Sequence, residues 1–428
     1  MTDHRQRLLE VAQAEGRLTS VVGAVFDRYG PVWAGAAGEV PAGLHGQYRI
    51  GSITKTMTAA LVLQARDAGL LALDDTLGQH LGDVGYAEAT LRQLLAHTSG
   101  MQSEPVGDWW ERTRGTDVAT LLARNDGSGR IGPPGEHHYS NLGYALLGEV
   151  VARAWGLPWR RLVADRLLTP LGMRRTSYLP RPQAQPGWSV HPFTGVRVHE
   201  PLTDTRAMAP AGQLWSTLED LVVWGQVLAG ARPDVLEPAS LAEMQTPVTE
   251  EYGLGLRQAV HAGGTLVGHT GSMPGFLAAL LVDPHSGIGT AVLTNATTGV
   301  DQLELAVSLI EGAPDDSGGW PQPWVPTVSV PALVDGVPGT WFWGNTAFEA
   351  RWHNEGLDLR PLAPGAGAER FTLVSGALRG VAGYHRGETM TVHRDGSGRA
   401  SHLECATFVY TPTPYDPGVP VPGGHPRR

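Results

Sequence analysis

The stretch from Thr54 to Gly69, TKTMTAALVLQARDAG, is apolar on nearly every face when wound at 3.6 residues per turn. Such a helix has no side to turn toward water, so other elements must enclose it at the centre of a domain. With 428 residues the chain has the material: at roughly 150 residues per domain it holds two or three domains, or one large one with an appendage. Glycine and proline together number 88, below the roughly 25–30% of low-complexity chains, which rules out disorder and fibres. The one cysteine, Cys405, permits neither an intrachain disulfide nor a cysteine zinc site, so packing holds the fold together.

The formal charge of -10 argues against nucleic acid as a partner. The amino-terminal MTDHRQRLLEVAQAEG has no apolar secretory stretch, and no run reaches the roughly 18 apolar residues of a membrane helix. The expectation is a soluble cytoplasmic protein with no membrane partner. The 16 histidines show no HExxH and no Cys/His cluster at ligand spacing, so they read as surface and core residues and no metal or organic cofactor is implied.

Of the 32 basic residues only Lys55 is a lysine; the other 31 are arginines, whose guanidinium stays charged at any physiological pH. Lys55 lies three residues after Ser52, on one face of the helix they begin. A serine hydroxyl needs a nearby base to become a nucleophile, and neutral lysine can be that base. From an ordinary pKa of about 10.4, neutrality at pH 7 costs about 4.6 kcal/mol. Burial and the positive end of the helix both work in that direction. The alternative is that Ser52 caps the helix and Lys55 is solvated in its first turn.

Two further boxes follow. Tyr139-Ser140-Asn141, 87 residues after Ser52, leads into the helical LGYALLGEVVARAWG, and His269-Thr270-Gly271-Ser272 begins 217 residues after Ser52. The second box follows a short strand pattern and precedes FLAALLVD and IGTAVLTN, two strands joined by a turn from Pro284 to Gly287. Ser-x-x-Lys, Tyr-x-Asn and His-Thr-Gly in this order resemble the serine β-lactamase and penicillin-binding-protein superfamily, in its class C and DD-peptidase branch. YRIGSITKTMTA, GLLALDDTL and LRQLLAHTSGM carry the resemblance over roughly residues 10 to 312.

The resemblance implies that Ser52 is acylated, that Lys55 and Tyr139 shuttle its proton, and that Asn141 bonds the substrate. It implies that the N–H groups of Ser52 and Ser272 form the oxyanion hole and that Thr270 and Gly271 bind the substrate. On the residues alone, Tyr139 can be a core tyrosine and Asn141 the cap of its helix. His269 stands where β-lactamases of this superfamily resemble Lys-Thr-Gly; histidine is mostly neutral at pH 7, so a permanent cation is missing there. That disfavours antibiotic hydrolysis and resembles esterases, D-amino-acid-specific peptidases and acyltransferases.

Trp109 and Trp110 lie where superfamily members wall the cleft, as substrate contacts or as core. Ser216-Thr217-Leu218-Glu219 reads as a capping box. Residues 313–330 read as a Pro/Gly-rich linker between a catalytic domain, 1–312, and a small domain, 331–428, of short β-prone runs that resembles a lipocalin-like barrel. There Trp341 and Trp343 alternate and read as one core face. Arg399 and the Arg427-Arg428 pair could reach a peptide carboxylate but read as solvated surface.

The expected fold is an α/β (α+β) β-lactamase-like domain with an antiparallel sheet flanked by helices, plus a small all-β domain. The expected activity is serine acyl transfer on an ester, thioester or amide of a small-molecule or peptide substrate. Such architecture resembles stand-alone penicillin-binding-protein-type thioesterases that cyclise nonribosomal peptides, whose substrate arrives as a thioester on a carrier protein. The alternatives are an esterase or D-amino-acid-specific peptidase that only hydrolyses, and an acyl-binding sensor that does not turn over.

Overall fold

The computed structural model describes residues 4–312, 321–363 and 367–416. The chain forms two compact units, Met1–Ser189 with His199–Trp324 and Val190–Val198 with Val325–Arg428. Residues 313–320 of the expected linker and the Arg427-Arg428 pair lie outside the described residues.

In the first unit, helix α1 (His4–Glu15) precedes a hairpin of β1 (Ser20–Phe26) and β2 (Pro31–Gly38). Helices α2 (Thr54–Asp67), α3 (Asn141–Trp155) and α4 (Leu218–Leu228) follow, then β3 (Arg257–His261), β4 (Gly264–Met273), β5 (Phe276–Val282), β6 (Gly289–Thr294) and α5 (Gln302–Glu311). The strands form one antiparallel sheet in the order β2-β1-β6-β5-β4-β3, so the two ends of the unit meet where β1 pairs with β6.

Strands β1, β5 and β6 are buried on both faces, which is why they read as continuous apolar runs. Their alternate residues divide between two cores. Val21, Val25, Leu281 and Val292 pack with Leu9, Leu305 and Leu309 of α1 and α5. Phe26, Leu280, Val282 and Leu293 face the larger core, which holds α2 and α4. The turn joining β5 and β6 is held by Asp283, whose carboxylate accepts from the His285 N–H and the Ser286 hydroxyl. Helix α2 is enclosed as its composition requires, with 11 of its 14 residues buried.

Three local details differ from the sequence expectation. The cap of α4 is Thr217 rather than Ser216, because the Thr217 hydroxyl accepts from the Asp220 N–H while Ser216 sits in a short strand. The cap of α3 is Ser140, whose hydroxyl accepts from the Gly143 N–H, which leaves Asn141 free for other partners. The His269 box lies inside β4 rather than after a strand.

The second unit is an eight-stranded antiparallel meander. Its strands are β7 (Gly339–Trp343), β8 (Thr346–His353), β9 (Gly356–Pro361), β10 (Glu369–Val374), β11 (Ala377–Ala382), β12 (Thr389–Arg394), β13 (Ala400–Cys405) and β14 (Phe408–Tyr410). Phe342 and Thr411 exchange two backbone hydrogen bonds of 2.8 Å each, bringing the last strand's end to the first and nearly closing a barrel. Inward-facing Trp341, Phe348, Leu359, Phe371 and Leu403 fill it. Trp343 departs from the expected core face: at the strand's end it is half-exposed and stacks on Phe408 at 5.0 Å. Arg399 is exposed and pairs with Asp395.

Candidate active site

Ser52 occupies a 3₁₀ turn, Gly51–Ile53, immediately before α2, and its side chain does not cap the helix. Two glycines let this turn meet β4. Gly51 adopts φ of +51°, and a Cβ there would lie 2.6 Å from the Ser272 nitrogen. A Cβ on Gly271 would lie 2.0 Å from the Ile50 carbonyl oxygen and 3.3 Å from the Ser52 nitrogen. Any side chain at either position would push the turn and the strand apart, and with them the backbone N–H groups of Ser52 and Ser272.

Lys55 is fully buried. Its Nζ lies 2.9 Å from Ser52 Oγ, 2.6 Å from Asn141 Oδ1 and 2.7 Å from the Ala211 carbonyl oxygen. Burial lowers its pKa from 10.5 to about 7, against the pull of Glu104 and Glu111 toward the charged form. A neutral amine has two hydrogens, and two of these neighbours can only accept. Asn141 Oδ1 and Ala211 O therefore take both, and the lone pair is left facing the Ser52 hydroxyl.

The Asn141 amide is oriented from its other side, since Nδ2 donates to Glu104 Oε1 at 2.6 Å. The second Glu104 oxygen accepts from the Trp110 indole at 2.7 Å. Trp110 is thus a buried support for Glu104, whereas Trp109 is 59% exposed and packs over Arg112. Neither lines the pocket around Ser52.

That pocket encloses about 300 Å³. Ser52, Tyr139, His269, Thr270 and Ser272 line it from the boxes, and His137, Glu251, Tyr252, Arg257 and Gln302 join them. Tyr139 is held beside Ser52, and its ring lies 5.0 Å from Lys55 Nζ. Burial raises the Tyr139 pKa well above the ordinary phenol value, so it stays protonated. The loop before α3 is fixed by His97, at φ of +58°, whose Nδ1 accepts from the Ser140 N–H.

His269 is neutral, because burial lowers its pKa to about 3, with Lys55 adding to the effect. Its Nδ1 donates to the Thr270 carbonyl, so Nε2 accepts from the Tyr252 hydroxyl at 2.8 Å. The cation lining the pocket comes instead from β3, where Arg257 pairs in register with Gly268. Its guanidinium makes no hydrogen bond or ion pair to another described side chain. Glu104, Tyr252 and Arg257 carry no local pattern in the sequence; Arg257 was reachable only through its place on a strand bordering the His269 box.

A serine and a buried lysine at hydrogen-bond distance, beside an antiparallel sheet edge, define a serine hydrolase of the Ser-x-x-Lys class. Comparison with known proteins agrees. The β-lactamase family matches residues 5–312, and a domain of unknown function, DUF7586, matches residues 330–412. The chain belongs to the β-lactamase family, within the superfamily shared with the penicillin-binding proteins. It is 30% identical to penicillin-binding protein 4 of Amycolatopsis lactamdurans over 290 residues, which cover 58% of this chain and 72% of that protein. Matches to the next curated relatives span about half of their length.

Among solved structures, a D-stereospecific amidohydrolase from Streptomyces sp. is similar at a TM-score of 0.62 and 28% identity, over 72% of this chain and 98% of that one. SurE, also solved with D-Leu, is similar at a TM-score of 0.62 and 26% identity, over 96% of this chain and 98% of that one. The eight-stranded unit fits a lipocalin-like domain, as its sequence suggested.

Proposed function

We propose that the protein hydrolyses amide or ester bonds of peptide-like substrates carrying a D-configured residue, through an acyl-enzyme on Ser52. The observation that carries this reading is the Lys55 amine, buried, 2.9 Å from Ser52 Oγ, with both its hydrogens assigned elsewhere. Ser52 Oγ attacks the carbonyl carbon as its proton passes to Lys55 Nζ. The resulting ammonium has three acceptors in place, so both protonation states of the base are satisfied without rearrangement. The N–H groups of Ser52 and Ser272 receive the developing oxyanion, a contribution of about 3–4 kcal/mol per donor in comparable sites. Tyr139, a protonated phenol, hands a proton to the leaving atom and is recharged from Lys55; water then attacks the ester and returns Ser52 to its hydroxyl. Arg257 receives a substrate carboxylate, the role a histidine at 269 does not fill.

The D-configuration rests on similarity to the D-stereospecific amidohydrolase and to SurE with D-Leu. The test is intact-mass spectrometry and product analysis with paired D- and L-amino-acid amides and esters. A transient adduct on Ser52 with the D-substrates, lost in Ser52→Ala and Lys55→Arg, is expected. An adduct elsewhere, or equal turnover of both enantiomers, would overturn the respective half of the proposal.

A second reading rests on the two-unit architecture, a catalytic unit followed by an eight-stranded β unit, which resembles that of stand-alone penicillin-binding-protein-type thioesterases. In it the acyl group arrives as a thioester on a carrier protein and the substrate's own amine resolves the ester. A peptidyl thioester yielding a cyclic product supports that reading; free acid alone rejects it.

A further inference from the structure

Outside the catalytic unit, the barrel brings two histidines together that the sequence leaves nine residues apart. His393 on β12 and His402 on β13 are directly paired in register, and Glu404 lies two residues along β13 on the same outward face. The inward positions beside them, Met390, Leu403 and Cys405, are buried core. The two imidazoles stack with centroids 4.1 Å apart and planes within 5°. His393 Nε2 lies 2.8 Å from Glu404 Oε2. His402 Nδ1 lies 3.1 Å from Ser401 Oγ, which leaves its Nε2 for another partner. Among the described residues, these form the group of three histidine, cysteine or carboxylate side chains whose ligand atoms lie within 4.8 Å of one another.

We propose that His393, His402 and Glu404 form a binding site for a divalent transition-metal ion of the zinc class. Two imidazoles and one carboxylate are a donor set that zinc accepts, at bond lengths of about 2.0–2.2 Å. Those lengths place ligand atoms of a tetrahedral site about 3.4 Å apart, against the present spacing of up to 4.8 Å, so binding requires the stacked imidazoles to turn about their side-chain torsions until their nitrogens converge. The ligands stand on two adjacent strands, which fixes their Cα positions. His393 and Glu404 are 37% and 47% exposed, so the ion has an entry path and a water completes its shell. The ion would displace the hydrogen bond between His393 and Glu404 and leave the buried core untouched. Magnesium, which prefers an all-oxygen octahedral shell, is not expected to compete.

The test is isothermal titration of the full chain, stripped with chelator, with zinc and with magnesium. One equivalent of zinc and no magnesium uptake are expected. His402→Ala and Glu404→Gln should each weaken zinc binding at least about tenfold, the least that loss of a supporting group costs at such sites. His285→Ala, a histidine in the β5–β6 turn, should leave it unchanged. A separate measurement needs no variant: zinc should protect His393 and His402 from diethyl pyrocarbonate, read by peptide mapping. No zinc uptake, uptake unchanged in a His393→Ala/His402→Ala double variant, or equal modification with and without zinc would overturn the proposal.

Discussion

Acylation of Ser52 should switch on with pH through the titration of Lys55. Enclosing this ammonium lowers its pKa from 10.5 to about 7, a difference worth about 5 kcal/mol at about 1.36 kcal/mol per pH unit. Without that displacement fewer than about one lysine in a thousand would be neutral at pH 7; with it about half are. If the neutral amine is the base, kcat/KM follows its population. The rate at pH 5 should be about fifty-fold below that at pH 7, and above pH 7 it should gain no more than about twofold. Burial holds His269 at about 3 and His97 well below its ordinary value, and it holds Tyr139 above the ordinary phenol range. None of the three titrates within the assay range.

The assay is the pH dependence of kcat/KM for an activated D-amino-acid ester between pH 5 and 9, which reports the free enzyme. His137 also lines the pocket, so the profile should be repeated with His137→Asn, and the limb should persist. A rate that is flat from pH 5 to 8, or that rises only above pH 9, would mean that Lys55 stays charged and another group takes the serine proton. Loss of the limb in His137→Asn would assign it to that histidine.

Further outcomes follow from the same contacts. Glu104→Gln removes a charge that favours the Lys55 ammonium, so the midpoint of the limb should move to lower pH while kcat falls through the loosened Asn141 amide. Lys55→Met should be more stable than wild type at pH 6 in chemical denaturation, by up to about 5 kcal/mol less the lost hydrogen bonds. The sign follows from a folded pKa below the unfolded one: the cost of the buried charge is complete below pH 7 and fades toward pH 10.5, so the variant's advantage should vanish as pH rises and reverse near pH 10, where only the hydrogen bonds lost from Asn141 and Ala211 remain. Arg257→Ala should raise KM for substrates with a free carboxylate and leave it unchanged for their amides, measured by paired kinetics. Gly271→Ala places a Cβ 2.0 Å from the Ile50 oxygen and should slow acylation by about a hundredfold or more in burst kinetics, whereas Trp109→Ala should change stability and rate little.

The parts of this molecule that were legible in the sequence are those whose cause is local. Helix α2 announced its burial because every face of one short segment is apolar, and the β5–β6 hairpin because two apolar runs flank a Pro-to-Gly turn. The boxes were legible because each packs its chemistry into three or four consecutive residues. Trp343 misled because alternation places it beside Trp341, while a strand's last residue has no neighbour beyond it to complete the cover. The pairing of His393 with His402 was hidden because it depends on the register of two strands, which their composition does not state.

The groups that set the protonation of the site were hidden for the same reason, and their placement explains why the boxes alone do not define a working base. A lysine three residues from a serine is equally able to be a solvated first-turn cation. What separates the two outcomes is the Ala211 carbonyl, 156 residues away in sequence, together with an asparagine whose amide could face either way. Glu104 decides that orientation: by accepting from Nδ2 it turns Oδ1 toward Lys55, and the lysine's lone pair is left to the serine. The same carboxylate also draws Lys55 toward its charged form, so one residue orients the base and opposes its neutral state. A pKa near 7, rather than far below it, is the balance of that pull against burial. It leaves an amine neutral often enough to accept the serine proton and basic enough to hold it while the acyl group transfers.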